Sequence, residues 1–431
     1  MGKIMAKEKY LLIGIILLGL GLRLTNLNQS FWLDEASQAQ MSSLSLSQIW
    51  SARQADFHPP LFYFLTHFWL QLGRSESWLR LLPVFFGVVS IAFIYMFNKK
   101  IGLTAALFLA INPYHIYYSQ EFRSYSLLAM LGLLSVLLMQ RKKYIWMAVV
   151  NALLLYTHYS SIFLIFTQFI INPISIFYFP LSLILYLPWI PQFFEQLQSG
   201  VDIDTFLPGW RNILSLTPVK AIPEILFKFM AGRINLFPRW LYAIYIIFVL
   251  SSLGLSVLVN QIQRRLLWLW LGLPILASLL VSLWLPQTQP FRLIFALPAL
   301  ILILAGATIR FPKLIITLVV YISIVGNILY FTRPRLQREQ WRQAISYLSL
   351  QQEVIMVNYL GKLAPFIWYS PNLKVVDKIP IGVSSFYYLE YLTGLTDPEH
   401  QIQKELESKK WKVVETKNFE GVGLIYKYAK L

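Results

Sequence analysis

Phe31-Trp32-Leu33-Asp34-Glu35-Ala36 follows closely on an apolar run, Leu11 to Leu22, and places two adjacent carboxylates just past it. Only 13% of the 431 residues are charged and 57% are hydrophobic, with a mean hydropathy of +0.57. That balance is beyond what a soluble globular chain carries and defines a multi-span membrane protein. Two acids side by side at a membrane interface then need a reason, and they set the frame for the rest of the chain.

Windows long enough to cross ~30 Å of hydrocarbon predict membrane helices near residues 9–26, 81–98, 101–117, 124–140, 144–158, 160–177, 180–195, 238–259, 266–285, 291–309 and 313–331, about eleven in all. Lys3, Lys7 and Lys9 precede the first, and no small-x-small cleavage pattern follows it, so it is read as an uncleaved helix. The formal net charge of +17 invites a nucleic-acid reading. However, the basic residues cluster between apolar segments: Lys99/Lys100, Arg141/Lys142/Lys143, Arg264/Arg265 and Arg310/Lys313 all fall on the side of the N-terminal lysines. That side is the cytoplasm, and no nucleic-acid partner is expected. The odd number of crossings sends Asp34/Glu35, Glu121, the loop of residues 196–237 and the C-terminus to the outer face. Cysteine is absent, which excludes disulfides and thiolate metal sites.

The first outer loop is too long for a simple connection. Leu44, Leu46, Ile49 and Trp50 predict one interfacial helix, and Pro60 to Leu72, with Phe62, Tyr63, Phe64, Phe68 and Trp69, predict another. After residue 332 the pattern changes. Trp341, Ala344, Ile345 and Leu348 keep helical spacing, residues 353–359, 373–377, 411–415 and 421–426 read as strands, and Asp397-Pro398-Glu399 opens a further helix. The fold class expected is an all-α polytopic membrane protein, residues 1–332, with a small extracytoplasmic α/β domain, residues 333–431.

Each candidate residue has a plain reading beside the chemical one. Asp34 and Glu35 are solvated loop acids or helix-start residues, or they are interfacial carboxylates with a pKa lifted toward general-base values. His58, before Pro59-Pro60, is incidental to a helix-start turn or pairs with a phosphate or an acid. Tyr118-Ser119-Gln120-Glu121-Phe122-Arg123 opens a helix at the outer face. There Glu121 suits the helix dipole, whereas Arg123 opposes it unless an anion is near. His158 sits in a polar turn between two crossings. Arg292 lies at a depth where a charge costs up to about 3 kcal/mol, so it snorkels or has a partner. Gly-rich phosphate loops, HExxH and a serine nucleophile elbow are all missing.

Taken in order, the acidic pair, His58-Pro59-Pro60-Leu61-Phe62-Tyr63, Tyr117-Tyr118-Ser119-Gln120-Glu121-Phe122-Arg123-Ser124-Tyr125, Thr157-His158-Tyr159 and the helix start from Arg292 to Pro298 resemble the family 39-like members of the C-type glycosyltransferase superfamily. These are relatives of the dolichyl-phosphate-mannose protein mannosyltransferases and the lipid A aminoarabinose transferase. The resemblance spans about residues 10–310. It implies transfer of a sugar from a polyprenyl-phosphate carrier to a lipid, polysaccharide or protein acceptor at the outer face of the cell membrane. By the same resemblance Asp34 is the general base or a ligand of a divalent cation (Mg or Mn), Glu35 supports it, and Glu121 is a second acid of the site or a second metal ligand. His58, Arg123 and Arg292 face the donor phosphate, with Tyr118 and His158 in support. Phe122 and Ser124 stand where relatives often carry small residues or Met. A lipid-linked sugar transporter or flippase is the alternative, although no paired repeat with broken helices is visible.

Overall fold

A computed structural model describes residues 2–51, 57–201, 218–236, 238–260, 262, 264–285, 288–359 and 362–430. Of the loop expected at 196–237, residues 202–217 and 237 lie outside them. A helix stands at each expected crossing, beginning with Gly2–Leu24 and ending with Pro312–Thr332. Among the described residues, five helices are each long and apolar enough to cross a membrane: Glu76–Tyr95, Pro173–Ser199, Arg239–Val259, Pro290–Ala307 and Pro312–Thr332. Five further apolar helices are shorter, so helix length alone does not give the full count of about eleven.

Two boundaries differ from expectation, both at Asn-Pro. The segment expected as one helix over 101–117 is Gly102–Ile111 followed by Pro113–Ser119. Pro113 lacks the N–H that a continuous helix requires, and Asn112 caps the new start by accepting the His115 N–H at 2.8 Å. A break in an apolar environment strands carbonyls. Here Arg23, fully buried, takes those of Leu109 (3.1 Å) and Ala110 (2.9 Å), and the Asn327 amide takes that of Ile111 (2.8 Å). The second break, at Asn172-Pro173, ends Ser161–Ile171 and moves the turn expected near 178–179 upstream.

Helix Leu297–Ala307 is buried along its whole length, as an all-apolar sequence requires of a central helix. The first outer loop folds into helices Leu33–Ser42, Leu46–Ser51 and Leu61–Leu72. The last has twelve residues, ~18 Å at 1.5 Å per residue, against ~30 Å of hydrocarbon.

The C-terminal part is a five-stranded mixed sheet of order β2-β1-β3-β5-β4, with β1 Ile355–Val357, β2 Val375–Val376, β3 Ser385–Glu390, β4 Trp411–Phe419 and β5 Gly423–Lys430. β1 runs parallel to β2 and β3, and the remaining pairs are antiparallel. Helix Trp341–Gln351 buries Trp341, Ala344, Ile345 and Leu348, the stripe its sequence marks out. Asp397 accepts the N–H groups of Gln401 (2.8 Å) and Ile402 (3.0 Å) at the start of Gln401–Ser408. The central strand, β3, was not expected. Tyr387 and Leu389 pack against Trp341 on one face while Phe386 and Tyr388 pack against Trp411 on the other, so the strand shows no alternation to read.

Candidate active site

The acidic pair separates at once. Neighbouring residues on a helix point about 100° apart, and in Leu33–Ser42 Glu35 turns inward while Asp34 turns toward a cavity. Glu35 is fully buried: Arg80 Nε donates to Oε1 at 2.9 Å, Arg80 Nη2 to Oε2 at 2.5 Å, and the Phe122 N–H to Oε1 at 2.8 Å. Burial alone would raise its pKa, but the Arg80 guanidinium outweighs that and holds the carboxyl below its usual range. Arg80 also donates to the carbonyls of Leu27 (2.7 Å) and Ser30 (3.1 Å) and lies over the Phe31 ring. Phe31 stacks on Phe122 with centroids 5.7 Å apart. Glu35 therefore ties the acidic loop to the turn bearing Glu121 and Arg123, and it does not line the cavity.

The cavity measures about 1130 Å³. Asp34, His58, Tyr118, Glu121, Arg123, His158 and Arg292 all line it, although they come from separate parts of the chain. The Asp34 carboxylate makes no hydrogen bond or ion pair among the described residues. Arg123 donates to the Asp34 carbonyl at 3.3 Å, and another of its nitrogens lies 2.9 Å from His58 Nε2. The His58 and His158 rings meet edge to face at 5.7 Å, and His158 Nδ1 accepts the Ser160 N–H at 3.1 Å. Arg292 is part-buried in the neighbouring wall, its guanidinium over Phe291. Tyr118 packs edge-on against Tyr125. Apolar side chains, among them Phe163, Leu183, Ile190, Phe193 and Leu285, also line the cavity.

Glu121 is buried and paired: Arg338 Nη1 donates to Oε2 at 2.7 Å and Nη2 to the Tyr117 carbonyl at 3.0 Å, with the guanidinium 3.8 Å above the Tyr117 ring. Asp34 and Glu121 thus share a cavity, but Glu121 already commits an oxygen to a guanidinium. Among the described residues no three acid or imidazole side chains converge. Mg²⁺ takes about six oxygens, and this donor set does not fit it.

Arg80, Arg338 and Glu339 escaped the sequence reading. Arg80 lay one residue outside the expected window 81–98. Helix Glu76–Tyr95 actually begins at the Ser75 cap, which accepts the Trp78 N–H at 3.2 Å, and a boundary drawn there would have exposed an intramembrane-edge charge in need of a partner. Arg338 and Glu339 stand just past residue 332, where the pattern changes, and were not singled out. Glu339 lines the cavity and accepts from Trp341 Nε1 (2.6 Å), the Tyr391 hydroxyl (3.1 Å) and the Leu33 N–H (3.3 Å).

Burial pushes the Glu339 carboxyl up to about 7, against these donors and with the Asp34 charge adding to the push. With a folded pKa above the unfolded one, the stability owed to this group is complete below the unfolded value and is lost as pH rises through about 7. Glu339→Gln should therefore gain melting temperature relative to the wild type on going from about pH 5 to about pH 8. A pH-independent difference between the two proteins would refute it.

The fold, a helical bundle with an appended sheet, is similar to that of solved ArnT structures. ArnT from Cupriavidus metallidurans in the apo state superposes with a TM-score of 0.57 over 99% of this chain and 98% of its own, at 11% identity. ArnT from the same organism bound to undecaprenyl phosphate gives 0.54 over the same shares, at 12% identity. No protein-family model matches the sequence, and no curated protein sequence does.

Proposed function

We propose that this protein is a membrane glycosyltransferase that moves a sugar from a polyprenyl-phosphate carrier to an acceptor at the extracytoplasmic face, by inverting displacement. The observation that carries the reading is one cavity lined together by Asp34, whose carboxylate makes no hydrogen bond or ion pair among the described residues, by Arg123, Arg292 and His58, and by apolar side chains. Asp34 takes the acceptor proton as the acceptor oxygen or nitrogen bonds to the anomeric carbon. The bond from that carbon to the phosphate oxygen breaks, and its electrons leave with the phosphate. Arg123, Arg292 and His58 neutralise the departing charge. The sugar passes through an oxocarbenium-like state, for which Tyr118 and His158 shape the surrounding wall. Glu121, neutralised by Arg338, binds substrate hydroxyls, and Glu35 positions the loop. The apolar lining suits the carrier's hydrocarbon, and a solved structure of the same fold is bound to undecaprenyl phosphate.

Full-length protein in membranes should transfer label from one member of a panel of radiolabelled polyprenyl-phosphate sugars, with a chelator leaving the rate unchanged because the described residues do not gather three metal-binding side chains. Absence of transfer from every donor, with the protein folded and abundant, would favour a lipid-linked sugar transporter or flippase that uses the same cations.

A further inference from the structure

Helix Leu33–Ser42 starts without a cap of its own. Its N-cap residue is Trp32, which provides no side-chain acceptor, whereas helix starts ordinarily need Ser, Thr, Asp or Asn to satisfy their free N–H groups. The acceptor comes from the other end of the chain: Glu339 Oε2 takes the Leu33 N–H, 306 positions away. The same stretch is stitched further, since the Ser30 hydroxyl donates to the Glu339 carbonyl and the Arg338 N–H donates to Gln29 Oε1 at 2.8 Å. Glu339 is itself held by Trp341 and Tyr391, which belong to the sheet domain.

We propose that Glu339 is a positioning residue that caps the Asp34 helix in trans, so that the C-terminal domain fixes where the base points. This rests on the reading of Asp34 as the base. Asp34 is the second residue of that helix, and among the described residues its carboxylate makes no hydrogen bond or ion pair that would fix it. Its aim therefore follows the first turn, and the first turn is held by Glu339. A displacement of about 1 Å at a reacting group can cost on the order of 100-fold in rate. His58 and Arg292 lie on other elements, and Arg123 reaches this helix through the Asp34 carbonyl alone among the described residues, so donor binding changes little.

The test uses the full chain in nanodiscs. In Glu339→Ala, amide exchange across residues 31–36 should rise, and kcat should fall by roughly 100-fold with the donor KM unchanged. Glu339→Gln keeps an oxygen for the Leu33 N–H and should recover most of the exchange protection and at least ten-fold of the lost kcat, about 1.4 kcal/mol. Unchanged exchange in Glu339→Ala overturns the proposal whatever the catalytic result. So does failure of Gln to restore either quantity. If exchange responds as described but the wild type transfers no sugar, the capping role stands and the reading of Asp34 as a base falls.

Discussion

Asp34→Asn should reduce sugar transfer by about 10³-fold or more, within the range that a general base contributes, while leaving the amount of folded protein and the affinity for polyprenyl phosphate nearly unaltered. The carboxylate has no structural partner to lose, because it makes no hydrogen bond or ion pair among the described residues. Asparagine has the same shape and cannot take a proton at neutral pH. The measurement is single-turnover transfer from the donor identified in the panel, alongside size-exclusion profiles and lipid binding for both proteins. Transfer within ten-fold of wild type would remove Asp34 from the role of base and turn attention to Glu339. A parallel loss of lipid binding would place Asp34 in binding instead.

The second large effect is one of stability. Arg80→Ala would leave Glu35 fully buried with only the Phe122 N–H to meet it, and removal of one partner from a buried pair costs about 3–5 kcal/mol. It also strips the donors from the carbonyls of Leu27 and Ser30. The variant should lose most of its folded yield, or melt far below wild type in a thermal shift measurement. Glu35→Gln combined with Arg80→Met should recover part of that loss, since neither an uncompensated charge nor a void remains. A double variant no better than Arg80→Ala would show that the carbonyl contacts, and not the charge pair, hold the loop. By contrast with Asp34→Asn, activity per folded molecule should fall little once the loop is intact.

Much of this architecture was legible because hydropathy and lysine/arginine bias report on lipid contact, which dominates a chain of this kind. Helices such as 239–259 and 312–332 lie almost where their apolar runs place them. What failed was local. Asn112 and Asn172 break helices by backbone chemistry inside apolar runs, where a hydropathy window sees nothing. Strand β3 is buried on both faces and so carries no period. For the site, Asp34, His58, Glu121, Arg123 and Arg292 stood out as polar residues at the ends of apolar segments, and all five line one cavity. The separation of Asp34 from Glu35 follows from helix geometry, once a helix is assigned there. Arg338 and Glu339 could not be read locally: their partners, Glu121 and the start of the Asp34 helix, lie more than 200 positions away, and no local pattern encodes a contact of that span.

That long span has a consequence for biogenesis. The ribosome delivers the chain from its N-terminal end, so the segment bearing Asp34 is made some three hundred residues before Arg338 and Glu339. Until Arg338 and Glu339 emerge, Glu121 lacks its Arg338 partner and the Leu33 N–H lacks its Glu339 acceptor. On the function proposed above, the protein is complete in its membrane helices before its reaction centre is assembled, because the end of the chain must first dock on its beginning.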